Sequence, residues 1–255
     1  TVFNIESSIL KREEPIVQEL ATEYLTEQGI TILNNVTLDS VSNDDNKPVI
    51  KANNQNYTFD AVLYATGRKA NTANIGLEHT DIATNERGAI VVNDTCESSV
   101  PGVYAVGDVN GGPQFTYVSL DDFRIVFGAL TGSGHYTLKD RKNIPYTTFL
   151  TPPLSRVGLT EEDAINQGYT IKTKEMLVAT MPRAHVNDYL KGAFKIVVDA
   201  ENDLILGATL YSQGAEELIN LIKMAMDNNI PYTYFKNQIF THPTMAENLN
   251  DLCNF

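Results

Sequence analysis

The sequence predicts an α/β protein in two parts, a parallel α/β region to about residue 140 and then a separate α+β domain. Two observations carry that prediction. The chain opens in the order strand, helix, strand, a βαβ unit that implies parallel pairing. After residue 144, "TIKTKEMLVAT", "GAFKIVVDA" and "LILGATLYS" alternate and are separated by turns, as antiparallel strands do. At 255 residues the chain is long enough for about two domains, each with its own core.

Thr1-Val2-Phe3-Asn4-Ile5 reads as a strand with no lead-in, initiator methionine or turn, so the N-terminus is expected to be a cut one. In "EEPIVQELATEYLTE", Ile16, Leu20, Tyr24 and Leu25 recur at helical spacing behind acids expected in the first turn, and Gly29 marks a stop. "ITILNNVTLDSV" alternates like a strand, and "NDDNKP" is a turn cluster. "NYTFDAVLYATG" is expected to be a strand whose apolar run Ala61–Ala65 is buried. Residues 68–100 are rich in turns, with a short strand in "NERGAIVVND". "SVPGVYAVGDVNGG" reads as a second buried strand, Val103–Val106, delivering Gly107-Asp108 into a glycine loop, and "FTYVSLDDFRIVFGAL" as the helix that follows. Gly132-Ser133-Gly134 lacks the third glycine and the preceding strand of a dinucleotide loop.

"PYTTFLTPPLSRVGLT" is extended and broken by prolines, and "TEEDAINQG" is a short helix capped by Thr160 and stopped near Gly168. "AEELINLIKMAMDNN" is amphipathic, with Leu218, Leu221, Ile222, Ala225 and Met226 in one stripe and Pro231 beyond its end.

Composition narrows the function classes. A net charge of -13 disfavours nucleic acid or an anionic membrane as partner. No apolar run approaches the ~18 residues that span a bilayer. "TVFNIESS" is polar within four residues and lacks a basic flank, so no signal peptide is expected. Two cysteines, Cys96 and Cys253, give no disulfide framework, which fits a reducing cytoplasm.

Two stretches could carry chemistry. A glycine at a strand's carboxyl end lets backbone approach a ligand, and an aspartate there can accept hydrogen bonds from sugar hydroxyls, so Gly107-Asp108 is one candidate. The other is "FTHPTMAENLNDLCNF". The residue before a proline is pushed to extended geometry, and Thr244-Met245-Ala246-Glu247 fits the T-x-x-E capping box of a helix start. The same Glu247 is also placed to orient His242 as an acid–base group. His79, His135 and His185 have no metal-ligand spacing, Arg183 is expected in a salt bridge, and Asp121-Asp122 point to different faces of a helix and are not expected to act together.

"LYATGRKANT", "GAIVVNDTCESSVPGVYAVGDVNGGPQFTYVSLDDFRIV", "TPPLSRVGLTEEDA" and "QIFTHPTMAE" resemble, in family order, the pyridine nucleotide–disulfide oxidoreductases, the flavoproteins that include glutathione reductase, lipoamide dehydrogenase and mercuric reductase. "GGPQFTYVSLDDFRIV", "TPPLSRVGLTEE" and "THPTMAENLNDL" are most like the bacterial reactive-chlorine-resistance branch, associated with reduction of hypothiocyanous acid and of Cu(II). The resemblance implies a partial FAD/NAD(P)-binding Rossmann-like part followed by an α+β dimerisation domain. It divides the chain into part of the nicotinamide domain (1–67), a returning segment of the flavin domain (68–143) and the dimerisation domain (144–255).

The resemblance also implies roles. Asp108 would bond the flavin ribityl chain, with Gly107 allowing the approach, and backbone N–H groups near Phe115, Thr116 and Tyr117 would face the flavin O2 region. Gly67 and Arg68 would lie where the nicotinamide domain hands the chain back. His242 would be the acid–base histidine acting on the redox disulfide of the other subunit of a homodimer, with Glu247 orienting it. The cofactors implied are FAD and NAD(P)H. Asn4 stands where NAD-selective members often carry an acid, and no arginine cluster there supports a 2′-phosphate, so NADH is favoured. The electron acceptor would be a small-molecule oxidant.

The family's two G-x-G-x-x-G loops and its C-x4-C redox pair are not in this sequence. Cys96 and Cys253 are plain thiols on this reading, and Cys253 does not form the paired C-terminal cysteines of mercuric reductases. The alternatives are a non-catalytic dimerisation fragment, or a mercuric- or lipoamide-type reductase as the whole enzyme.

Overall fold

The computed structural model describes residues 1–255. The chain divides into two compact units, Thr1–Val62 together with Asn143–Phe255, and Leu63–Lys142.

The first segment holds β1 (Val2–Phe3), α1 (Pro15–Glu27), β2 (Ile32–Leu33), β3 (Leu38–Asp44), β4 (Lys47–Ala52) and β5 (Gln55–Thr58). β1 pairs parallel with β2, Val2 opposite Ile32, as the βαβ order requires. Pro15 starts α1, where its missing N–H is one of the helix's orphan donors anyway. The helix stops in a Schellman motif: Gly29 takes φ +83°, its N–H bonds Thr26 O at 2.9 Å, and Ile30 N–H bonds Leu25 O at 3.1 Å. Glu13 and Glu14 lie before the helix and not in its first turn, which contains no acid. The buried face is Val17, Ala21 and Tyr24, packed with Leu154 and Tyr211, while the expected Ile16 and Leu20 flank it. β3, β4 and β5 form an antiparallel meander. Each of its turns has two central residues at positive φ, Asp45 and Asn46, then Asn53 and Asn54, the left-handed pair a tight hairpin demands and Asn and Asp tolerate.

The expected strand does not continue to Ala65. β5 ends at Thr58, and Leu63 and Tyr64 are 89% and 66% exposed. An apolar run becomes a buried strand only if strands flank it and a layer covers it, and no strand of this chain pairs with residues 61–65. Val103–Val106 fails for the same reason. Only Tyr104 makes a bridge, to Glu97, and Val103 and Val106 are exposed.

The middle unit is built on α2 (Thr116–Thr131), whose buried side carries Val118, Asp122, Ile125 and Gly128. Ahead of it lie single bridges, such as Thr84 to Ile90, and a 3-10 turn over Gly107–Asn110.

The last segment holds β6 (Tyr146–Thr148), β7 (Leu154–Gly158), α3 (Glu161–Asn166), β8 (Ile171–Leu177), α4 (Pro182–Val186), β9 (Ala193–Asp199), β10 (Ile205–Tyr211), α5 (Ala215–Asp227), α6 (Tyr232–Asn237) and α7 (Asn248–Leu252). The strands form a five-stranded antiparallel sheet in the order β6-β7-β10-β9-β8. All seven residues of β9 are buried. Leu154 and Tyr211 pack against α1, while Phe194, Ile196 and Leu210 join the cluster of α5, α6 and α7, so the sheet is covered on both sides. Thr160 caps α3 in a reciprocal box with Asp163, and α5 buries Leu218, Ile219, Ile222 and Ala225, with Leu221 and Met226 packed alongside. No helix is long and apolar enough to cross a membrane.

The first and last segments are locked by buried charge. Glu14 bonds Lys195 at 3.0 Å and accepts the Glu161 N–H at 2.8 Å. Lys195 also reaches Glu161 at 2.6 Å and Glu175 at 2.9 Å. Glu13 accepts the Tyr146 hydroxyl at 2.5 Å, beside Arg156.

Candidate functional site

In "FTHPTMAENLNDL" Glu247 makes both sets of bonds expected of it, but the box closes a turn and not a helix start, because α7 begins only at Asn248 with Glu247 as its N-cap. Glu247 Oε1 accepts the Thr244 N–H at 3.0 Å, and Thr244 Oγ1 accepts the Glu247 N–H at 3.3 Å, the reciprocal pair of a capping box. Glu247 Oε2 lies 2.7 Å from His242 Nδ1. A carboxylate only accepts, so Nδ1 carries the proton and a neutral ring keeps its lone pair on Nε2. The His242 side chain is 69% exposed, which leaves Nε2 accessible. The bond from His242 and the Thr244 N–H hold the Glu247 carboxyl below the usual carboxylate range.

That depression fixes a pH dependence. A group whose pKa is lowered by folding contributes stability above its unfolded value, about 4.3, and loses it as pH falls through the lower folded value. Glu247→Gln should therefore be less stable than the parent near neutrality and converge with it below about pH 4. Thermal melts across that range check this, and a gap that ignores pH would count against the assignment.

Residues not anticipated from sequence hold this stretch in place. Asn250 Nδ2 donates to the carbonyls of Phe235 at 2.6 Å and Gln238 at 2.9 Å, pinning α7 to the end of α6. Lys174 Nζ reaches Asp251 O at 2.7 Å and Asn254 O at 2.6 Å at the other end of α7. Buried Asn248 ties back to Thr244 O at 3.2 Å.

The Gly107-Asp108 turn lies in the middle unit. Gly107 has φ +72°, and a Cβ there would stand 2.7 Å from Ser119 Oγ, so only glycine fits. The Asp108 carboxylate is about half exposed, 3.8 Å from Arg68, whose guanidinium also donates to Gln114 O at 3.4 Å. Gly67 takes φ +113°. Phe115 is the N-cap of α2 and supplies no side-chain acceptor, Thr116 opens the helix, and the Phe115 and Tyr117 rings stack at 5.2 Å. An exposed acceptor beside a glycine turn that a Cβ would block, next to a helix start with no side-chain cap, fits a polyhydroxyl chain and the electron-rich edge of a flavin.

Asp121 and Asp122 do act together, contrary to the expectation from adjacent helix positions. Arg141 donates Nε to Asp121 at 2.7 Å and a second nitrogen to Asp122. Burial works against the Arg141 charge, and the two aspartates more than offset it, raising its pKa. Asp122 Oδ2 accepts the Gly107 N–H at 2.7 Å and Asn110 Nδ2 at 2.9 Å.

Asn4 closes the β1–β2 end, its Nδ2 donating to Asn34 Oδ1 at 2.9 Å and Glu6 O at 3.1 Å. Arg183, expected in a salt bridge, makes none, and His185 Nε2 lies 2.8 Å from Ala179 O. Both cysteines are buried. Burial and then Asp122 push the Cys96 thiol up to about 11, and burial pushes Cys253 up to about 12, so both stay protonated and poorly nucleophilic near neutrality.

A βαβ start, a glycine-aspartate turn before a long helix, and an antiparallel sheet followed by a histidine–glutamate pair stand in this order along the chain. Residues 1–122 match the pyridine nucleotide-disulphide oxidoreductase family, residues 144–253 match its dimerisation domain, and the chain belongs to that family. It is 42% identical over 252 residues to the probable pyridine nucleotide-disulfide oxidoreductase RclA of Escherichia coli K12, covering 99% of this chain and 57% of that one. It is 32% identical to a mercuric reductase of Staphylococcus aureus, covering 98% of this chain and 46% of the relative. The solved Cu(II) complex of the HOCl-induced flavoprotein disulfide reductase RclA from Escherichia coli superposes with a TM-score of 0.94 at 42% identity, over 98% of this chain and 57% of that one. The chain thus spans about half the length of the relatives it matches.

Proposed function

We propose that this chain supplies the carboxyl-terminal half of an NAD(P)H-dependent, FAD-containing disulfide reductase that works as a homodimer and reduces a small oxidant, hypothiocyanous acid or Cu(II). The observation that carries the proposal is the His242–Glu247 pair, with Nδ1 fixed at 2.7 Å and Nε2 open. His242 would act on the redox cysteine pair of the opposite subunit, and the exposure of its ring in a single chain supports that reading.

FAD, when bound, would accept hydride from the nicotinamide and pass two electrons to the cysteine pair. Asp108 and the start of α2 would hold it, with Gly67 and Arg68 nearby in the chain. In hypothiocyanous acid reduction a thiolate, a thiol and the oxidant would yield a disulfide, thiocyanate and water. Nε2, whose lone pair is free, would take the proton from the second thiol and hand it to the departing oxygen. Overall, NADH and hypothiocyanous acid would give NAD+, thiocyanate and water.

Asn4, which brings no cation to the end of β1, favours NADH over NADPH. Neither thiol of this chain can serve as the redox pair, and Cys253, buried and protonated, does not support mercury handling. Two unpaired thiols fit the cytoplasm. The domain boundaries at 67 and 143 are part of the same proposal.

Steady-state kinetics of the full-length enzyme carrying this sequence test it. The highest kcat/KM is expected with hypothiocyanous acid or Cu(II), and a higher value with Hg(II) or lipoamide overturns the substrate assignment. The chain by itself is expected to elute as a dimer that neither retains a flavin band after gel filtration with FAD nor oxidises NADH.

A further inference from the structure

We propose that Asp122, with Arg141 as its counter-charge, sets the shape of the Gly107–Asn110 turn and thereby the direction in which Asp108 presents its carboxylate, an inference that rests on Asp108 being the flavin's ribityl acceptor. Asp122 occupies the buried stripe of α2, between Val118 and Ile125, where an apolar side chain would be ordinary. Its side chain is 1% exposed. A carboxylate in such a place is costly unless it is paired and fully hydrogen-bonded.

Both oxygens are used. Oδ1 takes the Arg141 guanidinium, and Oδ2 takes the Gly107 N–H at 2.7 Å and the Asn110 amide at 2.9 Å. Gly107 lies one residue before Asp108 and Asn110 two residues after it, so one oxygen brackets Asp108 from both sides. The turn is tightened further by Asn110, whose amide also reaches Ala105 O at 3.3 Å and whose Oδ1 accepts the Gly112 N–H at 3.0 Å. Arg141 cannot swing away, because Asp121 holds its Nε at 2.7 Å. Asp108 itself is half exposed and makes no contact with Asp122 that could substitute for this bracket. Asp122 is therefore a positioning residue: it would touch no cofactor atom and act only through the turn.

The dissociation constant of FAD for apoenzyme, prepared from the full-length enzyme and followed by quenching of flavin fluorescence, tests the proposal in a double-mutant cycle. Asp108→Ala and Asp122→Ala are each expected to weaken binding roughly tenfold, the scale of a lost hydrogen bond to a charged group. Because Asp122 acts through Asp108, the double variant should be no more than about twofold weaker than Asp108→Ala alone. Asp122→Asn, whose amide oxygen can still accept the Gly107 N–H, should recover most of the affinity. Unchanged binding by Asp122→Ala, or losses that multiply in the double variant, would overturn the proposal while leaving the flavin assignment standing. No loss in Asp108→Ala would overturn the flavin assignment and the proposal with it. If Asp122→Ala does not fold, Arg141→Gln loosens the same carboxylate from its other side and enters the cycle in its place, with the same outcomes deciding.

Discussion

The His242→Ala variant of the full-length enzyme is expected to reduce its flavin with NADH at close to the parent rate and to pass electrons to the oxidant about a hundredfold more slowly or worse. General acid–base groups contribute on the order of 10² to 10⁴ in rate, and the proton they move belongs to the thiol and oxidant half of the cycle, not to hydride transfer. The geometry separates the two effects. Truncating His242 removes Nε2 and the partner of Glu247 Oε2, but leaves the Thr244–Glu247 reciprocal bonds, so the stretch keeps its shape. The ring is mostly exposed in a single chain, and its loss opens no core cavity. Rapid mixing resolves the halves: flavin bleaching by NADH without oxidant, then flavin recovery after oxidant is added. Equal slowing of both halves, or of neither, would remove His242 from the role.

What the sequence discloses is what its local chemistry decides. The Thr160–Asp163 box of α3, the Schellman stop of α1 at Gly29 and the apolar stripe of α5 depend on residues within a turn or two of each other, and all three stand where the pattern puts them. The His242–Glu247 pair belongs to the same class, since the groups are five residues apart and the Thr244–Glu247 bonds fix the carboxylate between them. Family membership was legible too, because "GD" before a long helix and "THPTMAE" near the end occur in the family's order.

Apolar runs are less informative, because they record a demand for burial and not where the covering layer comes from. Ala61–Ala65 and Val103–Val106 carry buried-strand composition, yet no strand in this chain answers them, and Leu63, Tyr64, Val103 and Val106 lie open. Long-range charge pairing was out of reach in a similar way. Arg141 is nineteen residues from Asp122, and nothing local links them. One signal was present: Val118, Asp122 and Ile125 follow the helical period, so an acid stood on a stripe otherwise fit for the core. An acid in such a position implies a buried partner. The pair Glu13-Glu14 was misplaced for the opposite reason. Acids near a helix start satisfy the dipole rule, but these two are claimed instead by Tyr146 and Lys195, more than a hundred residues away in sequence.

That last contact sets the largest expected stability effect. Lys195→Met should destabilise this chain by about 3–5 kcal/mol, the cost of breaking a buried pair by removing one partner. Lys195 is 4% exposed and sits on β9, the strand with every residue buried, while Glu14 is 2% exposed. With the ammonium gone, the Glu14 carboxylate retains only the Glu161 N–H at 2.8 Å, and Glu161 and Glu175 lose their common cation. The penalty arises from stranded negative charge rather than lost packing, since methionine nearly fills the same volume. Glu14→Gln added to Lys195→Met should therefore restore part of the loss, a coupling that independent sites would not show. The pH dependence has a definite sign. Burial works against the Lys195 charge and its three carboxylates more than offset it, so folding raises its pKa. Its contribution is then complete below the unfolded value of about 10.4 and fades only as pH rises toward the higher folded one. The gap between parent and Lys195→Met should stay level from neutrality to about pH 10 and narrow above it. Urea unfolding followed by circular dichroism measures all of this. A loss below about 1 kcal/mol, or no recovery with Glu14→Gln, would mean that the contact between α1 and the antiparallel sheet rests on Val17, Ala21 and Tyr24 and not on the ion cluster.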